Sequence, residues 1–231
     1  MTAVIACSHG TRFPEGRATV AALVALLAER MPGTRVEQAF VDVEQPEVAE
    51  VAAHLAAEGP AVVVPLLLST GFHTKVDIAA AVAPHARVHA ARPLGPHPLL
   101  VDALVRRLIE LPDFAGFRDG DHVVLAAAGS SDPEAAEQVE EMAALLRPAL
   151  PVPVTVGYGA GSHPRLSEAV AAARAAGARR VVAASYVLAP GHFAGLVERS
   201  GADLVSAPLG TDPAVLEVVA QRIEEATLVT A

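Results

Sequence analysis

The sequence predicts an α/β protein built as two tandem parallel-sheet lobes with a cleft between them. Short apolar runs alternate with longer amphipathic stretches, and the order β-α-β-α-β-α-β-α occurs twice. The second half also repeats landmarks of the first, as an internal duplication would.

The elements follow in order. Residues 3–7 (AVIAC) read as a strand, and 14–30 as a helix with Val20, Leu23, Val24 and Leu27 on one face. Residues 35–41 form a second strand. Pro46 then stands at a helix N1 position, opening a helix over 47–58. The nearly unbroken apolar run 61–68 suits a parallel strand buried on both faces. A short helix over 75–82, a strand over 87–91 and a helix from His97-Pro98 to about 110 complete the first half. The linker 111–121 (LPDFAGFRDGD) breaks the pattern. It separates a predicted N-terminal lobe, 1–115, from a C-terminal lobe, 116–231.

The second half starts with a strand over 122–127. Ser131 and Glu134 have capping-box spacing ahead of a helix reaching about 147. Strand 152–156, helix 164–176 and strand 179–186 follow. A short helix from about Phe193, strand 202–205 and helix 213–226 end the chain. Gly10 matches Gly129, Pro46 matches Pro164, Gly71 matches Gly191, and the turn at 93–98 matches that at 208–213. Parallel strands joined in this way imply right-handed crossovers.

Composition excludes several function classes. The 231 residues carry 17 Lys+Arg against 26 Asp+Glu, a net charge of −9, which argues against nucleic acid as a partner. A 52% hydrophobic share supports a packed core. One cysteine, Cys7, excludes an internal disulfide framework and reads as a small buried hydrophobe. No signal-like or spanning segment is present, so the chain is expected in the cytoplasm without membrane contact.

Ligands of open parallel sheets bind beyond the carboxyl ends of the strands. Ser8-His9-Gly10-Thr11-Arg12 follows the first strand, Asp42-Val43-Glu44 the second, and residues 69–75 the third. Imidazole with carboxylate suits a borderline divalent metal, and neutral imidazole also accepts protons. Position alone leaves His9 and His73 open between turn residues and functional groups, whereas His54, His85, His89, His97, His122 and His163 read as solvated or turn residues. The 157–162 loop (GYGAGS) follows a strand as a dinucleotide loop would, but its last glycine is replaced by Ser162.

Residues 8–12 (SHGTR), 39–42 (AFVD) before the proline-started helix, and 65–73 (PLLLSTGFH) together resemble the class II tetrapyrrole chelatases. These are the CbiX/SirB-type enzymes that insert cobalt or iron into sirohydrochlorin, and the duplication resembles their two-lobed single-chain form. The resemblance implies that His9 and His73 bind the metal and accept pyrrole protons. The family's carboxylate position falls on Asp42, implied as a third ligand. Ala128 and Phe193 replace the two imidazoles in the second half, and His192, one residue off, is expected to face elsewhere. The active site is therefore expected in the first lobe, with the degenerate second lobe as the other cleft wall.

The implied substrates are a polycarboxylate tetrapyrrole and a divalent ion, Co2+ or Fe2+, with Ni2+ also compatible. No nucleotide or organic cofactor is expected. Arg12, Lys75 and Arg92 lie at the strand ends and are expected to hold substrate carboxylates. Because the duplication supplies both lobes, a monomer is expected. The rival readings are a non-catalytic metal or tetrapyrrole carrier and, through the 157–162 loop, a nucleotide-dependent enzyme.

Overall fold

The computed structural model describes residues 2–112 and 114–228. Two four-stranded sheets, all of whose pairings are parallel, form the scaffold. The first is ordered β2-β1-β3-β4, from β1 (Ala3–Ser8), β2 (Val36–Phe40), β3 (Ala61–Pro65) and β4 (Val88–Ala90). The second repeats that order as β6-β5-β7-β8, from β5 (Asp121–Ala127), β6 (Val154–Tyr158), β7 (Arg180–Tyr186) and β8 (Leu204–Val205). The predicted strands are all present. β1 and β5 run one residue longer than predicted and β6 is shifted by two residues, while the others are shortened, most of all β3, where Leu66–Leu68 continue past the ladder after Pro65.

Helix α1 (Pro14–Arg30) matches its predicted span, with Pro14 in the first turn and Val20, Leu23 and Leu27 buried. In α2 (Val48–Glu58) the cap is Glu47, so Pro46 lies outside the helix rather than at N1. Its carbonyl instead accepts from the Phe40 N–H, extending the end of β2. The helix before β4 begins earlier than predicted. A π-helical turn, His73–Ile78, runs into α3 (Ala79–Val82), which moves His73 from loop to helix. His97 accepts from the Leu99 N–H and caps α4 (Pro98–Ile109). The cap of α5 (Pro133–Leu146) is Asp132, which accepts from the Glu134 N–H, so Ser131 is not the capping residue. Helices α6 (Leu166–Ala175), α7 (His192–Glu198) and α8 (Pro213–Leu228) complete the chain. Asp113, within the predicted linker, lies outside the described residues. His122, read as a solvated residue, is buried in β5 against Thr155.

Each sheet comes from one half of the sequence, but the helices covering it do not. The outer faces are covered locally, by α2 and α3 on the first sheet and by α6 and α7 on the second. Between the sheets the last helix of each half crosses over. Helix α8 packs on β3 and α1 of the first half, while α4 packs on β7 and α5 of the second. The two pack on each other, and a single core runs through both sheets and the helices between them. Polar contacts fix this exchange. Arg106 of α4 grips Asp212 bidentately at 2.9 and 2.6 Å, and buried Arg222 of α8 donates to the carbonyls of Pro93, Leu94 and Pro96.

Candidate metal and substrate cleft

In both sheets the order in which strands are added switches sides at the central pair, β1/β3 and β5/β7. Loops leaving such a pair diverge and open a crevice. Here the two crevices face each other and form one cleft of about 680 Å³. It is lined by segments that follow β1, β3, β5 and β7, with Val43 and Glu44 after β2.

His9 and His73 meet on the first-lobe side. Their rings pack edge to face, with centroids 4.5 Å apart and planes at 89°. Each imidazole has its Nδ1 engaged: His9 against the Gly10 carbonyl at 3.2 Å, His73 against Asp77 Oδ2 at 2.6 Å. Gly10 makes this turn possible. It adopts φ +86°, and a Cβ there would press on the Glu44 backbone at 3.1 Å. Gly129 repeats the conformation at φ +81° in the second half.

The other residues expected at the site divide. Arg12 lines the cleft, exposed, and forms no ion pair among the described residues. Asp42 does not line it. Its position is exposed, and the carboxylate that enters the cleft is Glu44. Glu44 is engaged, accepting from the Thr11 N–H at 2.8 Å and pairing with Arg17 at 3.0 Å. Lys75 turns away to the second lobe, where it pairs with Asp132 at 2.7 Å and Glu134 at 2.6 Å. Arg92 is 72% exposed, lies outside the cleft lining and pairs with Glu225 on α8. Among the described residues no group of three or more His, Cys, Asp or Glu side chains is placed to hold a metal ion.

The second-lobe wall is apolar where the first is polar. Ala128 and Phe193 stand at the positions of His9 and His73. His192 does not face elsewhere as expected: it lines the exposed edge of the same cleft, against Phe193. Sequence reasoning missed Asp77, and it missed the hydroxyls of Ser8 and Thr70, which line the cleft with no hydrogen-bond partner. Cys7 is inert, its thiol pushed up to about 12 by burial and then by the charge of Asp77. The 157–162 loop offers no phosphate cradle. The N–H groups of Gly159, Ala160 and Ser162 are bonded to backbone carbonyls, and Ser162 Oγ donates to the Ser130 carbonyl. Among the described residues no helix is long and apolar enough to cross a membrane.

The chain is 28% identical over 200 residues to the sirohydrochlorin ferrochelatase of Priestia megaterium, an alignment covering 83% of this chain and 74% of that one. Its fold is similar to that of SirB from Bacillus subtilis with Fe3+, at TM-score 0.81 and 24% identity, covering 98% of this chain and 96% of that one. It is likewise similar to the cobalt complex of the chelatase SirB from Bacillus subtilis subspecies spizizenii, at TM-score 0.78 and 24% identity, over 98% and 95% of the two chains. The CbiX family model matches twice, over residues 3–111 and 122–226, once in each repeat; the chain belongs to the CbiX family.

Proposed function

We propose that this chain is a sirohydrochlorin chelatase, inserting Co2+ or Fe2+ into the free-base macrocycle. The observation that carries the reading is the edge-to-face pair of His9 and His73 on the first-lobe side of the interlobe cleft. The relatives named as ferrochelatase and as cobalt- and Fe3+-bound SirB support it.

Metal insertion needs a place for the ion, an acceptor for the pyrrole protons and a shaped slot for the ring. Two imidazoles occupy part of a divalent ion's coordination sphere and leave the rest to water and to the incoming pyrrole nitrogens. Once the ion moves on to the macrocycle, each freed imidazole nitrogen can accept a pyrrole proton. The apolar second-lobe wall, with Phe193, Leu188 and Ala128, suits the flat hydrophobic face of the ring. Arg12 offers a cation for a peripheral carboxylate of an otherwise repelled polyanion.

The protein acts as a cytoplasmic monomer in this reading, since one chain supplies both walls. The test is anaerobic: free-base sirohydrochlorin with catalytic protein and Co2+ or Fe2+, followed by loss of the free-base absorption. Multiple turnovers support the chelatase. Stoichiometric binding without turnover would instead indicate a carrier.

A further inference from the structure

His73 opens the π-helical turn that enters α3, and Asp77 follows it four residues later on the same turn. The turn is anchored from beneath by Ile78, which is fully buried in the outer core of the first lobe. Asp77 Oδ2 lies 2.6 Å from His73 Nδ1, and both side chains are about one-third exposed, at 31% and 33%. The nearest cation along the turn, Lys75, is bound to Asp132 and Glu134 across the lobe boundary, so it is not paired with this carboxylate. His73 is the only ion-pair or hydrogen-bond partner of the Asp77 side chain among the described residues. His9 differs, because its Nδ1 faces the neutral Gly10 carbonyl at the longer distance of 3.2 Å.

We propose that Asp77 is the positioning residue of His73, fixing the proton on Nδ1 and turning the Nε2 lone pair to the cleft as the ligand atom. The proposal rests on the reading that His73 receives the metal. An ionised carboxylate accepts but cannot donate, so the facing nitrogen must carry the hydrogen. A carboxylate behind a metal-binding imidazole fixes its tautomer and orientation and raises the donor strength of the far nitrogen. The two imidazoles are thus unequal. The carboxylate-backed His73 is the stronger ligand and the carbonyl-backed His9 the weaker, so the ion is held mainly from the α3 side and is gripped loosely enough to be passed on. Periodicity did not reveal this pairing, because the helix was expected to start only at Lys75.

The experiment uses the full chain without macrocycle. Co2+ is titrated into wild type, Asp77→Ala, Asp77→Asn and His73→Ala, followed by the visible absorption of the bound ion. Nitrogen NMR on histidine-labelled, metal-free protein reads the His73 tautomer directly. Asp77→Ala is expected to weaken Co2+ by on the order of 10–100-fold and to move the His73 proton to Nε2. Asp77→Asn, whose amide oxygen still accepts from Nδ1–H, is expected to keep the tautomer and recover part of the affinity. That rescue, with unchanged melting of Asp77→Asn, separates positioning from a loss of fold. Wild-type Co2+ affinity and tautomer in Asp77→Ala would overturn the assignment, as would an Nε2–H tautomer in Asp77→Asn at full affinity. If His73→Ala itself binds Co2+ as wild type does, the reading of the metal site fails, and with it the basis of this proposal.

Discussion

The hydroxyl of Tyr186, at the end of β7, donates to the carbonyl of Leu68, 3.0 Å away in the segment leading to His73. The ring is buried and the bond joins the two halves at the back of the cleft. Gly95 lies against both groups, and a Cβ there would strike the hydroxyl and press on the Leu68 carbonyl. Tyr186→Phe should cost about 1 kcal/mol, as expected for a buried neutral hydrogen bond. Gly95→Ala should cost about 1–3 kcal/mol by overpacking. Thermal melts of both and of the double variant check this. The double should lose less than the sum, because removing the hydroxyl relieves one of the two collisions.

His9→Ala and His73→Ala should each lower the insertion rate by about 10²-fold or more, with thermal melts close to wild type. Both side chains point into the cleft and carry little of the core. Phe193→Leu and His192→Ala should leave Co2+ affinity unchanged and at most weaken the macrocycle. Initial rates and metal titrations on all four variants decide which half carries the chemistry.

The three cations expected to hold substrate should now separate. Arg12→Ala should raise KM for the macrocycle roughly threefold to tenfold, an effect that fades as salt screens the exposed contact. Lys75→Ala and Arg92→Ala should leave KM alone, because those side chains already serve Asp132, Glu134 and Glu225. Steady-state KM at low and high salt is the measurement.

Two buried carboxylates, Asp212 and Asp121, should contribute to the acid limit of the fold. Burial alone would push Asp212 up, but the paired hydrogen bonds from Arg106, the Ala214 N–H and the neighbouring guanidinium charges hold it below the usual carboxylate range. Asp121 is likewise lowered against its burial, by Arg180 and the Arg118 N–H. A depressed folded pKa means stability that is complete above the unfolded value, about 3.9, and is lost as pH falls toward the folded one. Tm should therefore begin to fall below about pH 6.5, where burial holds His97 and His122 neutral and the unfolded chain takes up protons more readily, and should drop further below about 4 as the two carboxylates protonate. Asp212→Asn should start lower at pH 7 and flatten the acid limb; an unchanged acid limb would mean that Asp212 does not set it.

Much of this was legible in the residue order. His9, His73 and Arg12 could be placed because each follows an apolar strand, with glycine close to both histidines, and parallel sheets send such residues to one edge. Position past a strand does not give direction, however. Asp42 points to solvent while Glu44, two residues on, enters the cleft. Lys75 leaves on a helical turn toward the other lobe, and Arg92 meets the last helix. The role of Asp77 was hidden because the predicted helix began at Lys75, which left His73 in a loop and out of i, i+4 register with it. The crossing of α4 and α8 had no sequence signal at all, since an apolar stripe such as Leu100, Ala103, Leu104 and Leu108 looks the same whichever sheet it covers.

That crossing has a consequence for how the protein is born. Synthesis runs from the N-terminus, and domains generally fold as they emerge. The inner face of β3 can be paired into its sheet early, yet the helix that shields it is made only after every strand of the second sheet. Until then the inner apolar face of the first half is uncovered next to the loops that line the cleft. Helix α4 is available early, but the sheet it is meant to cover does not yet exist. The first lobe thus completes its core only after α8 has been made, and the cleft matures in the same event that closes the core.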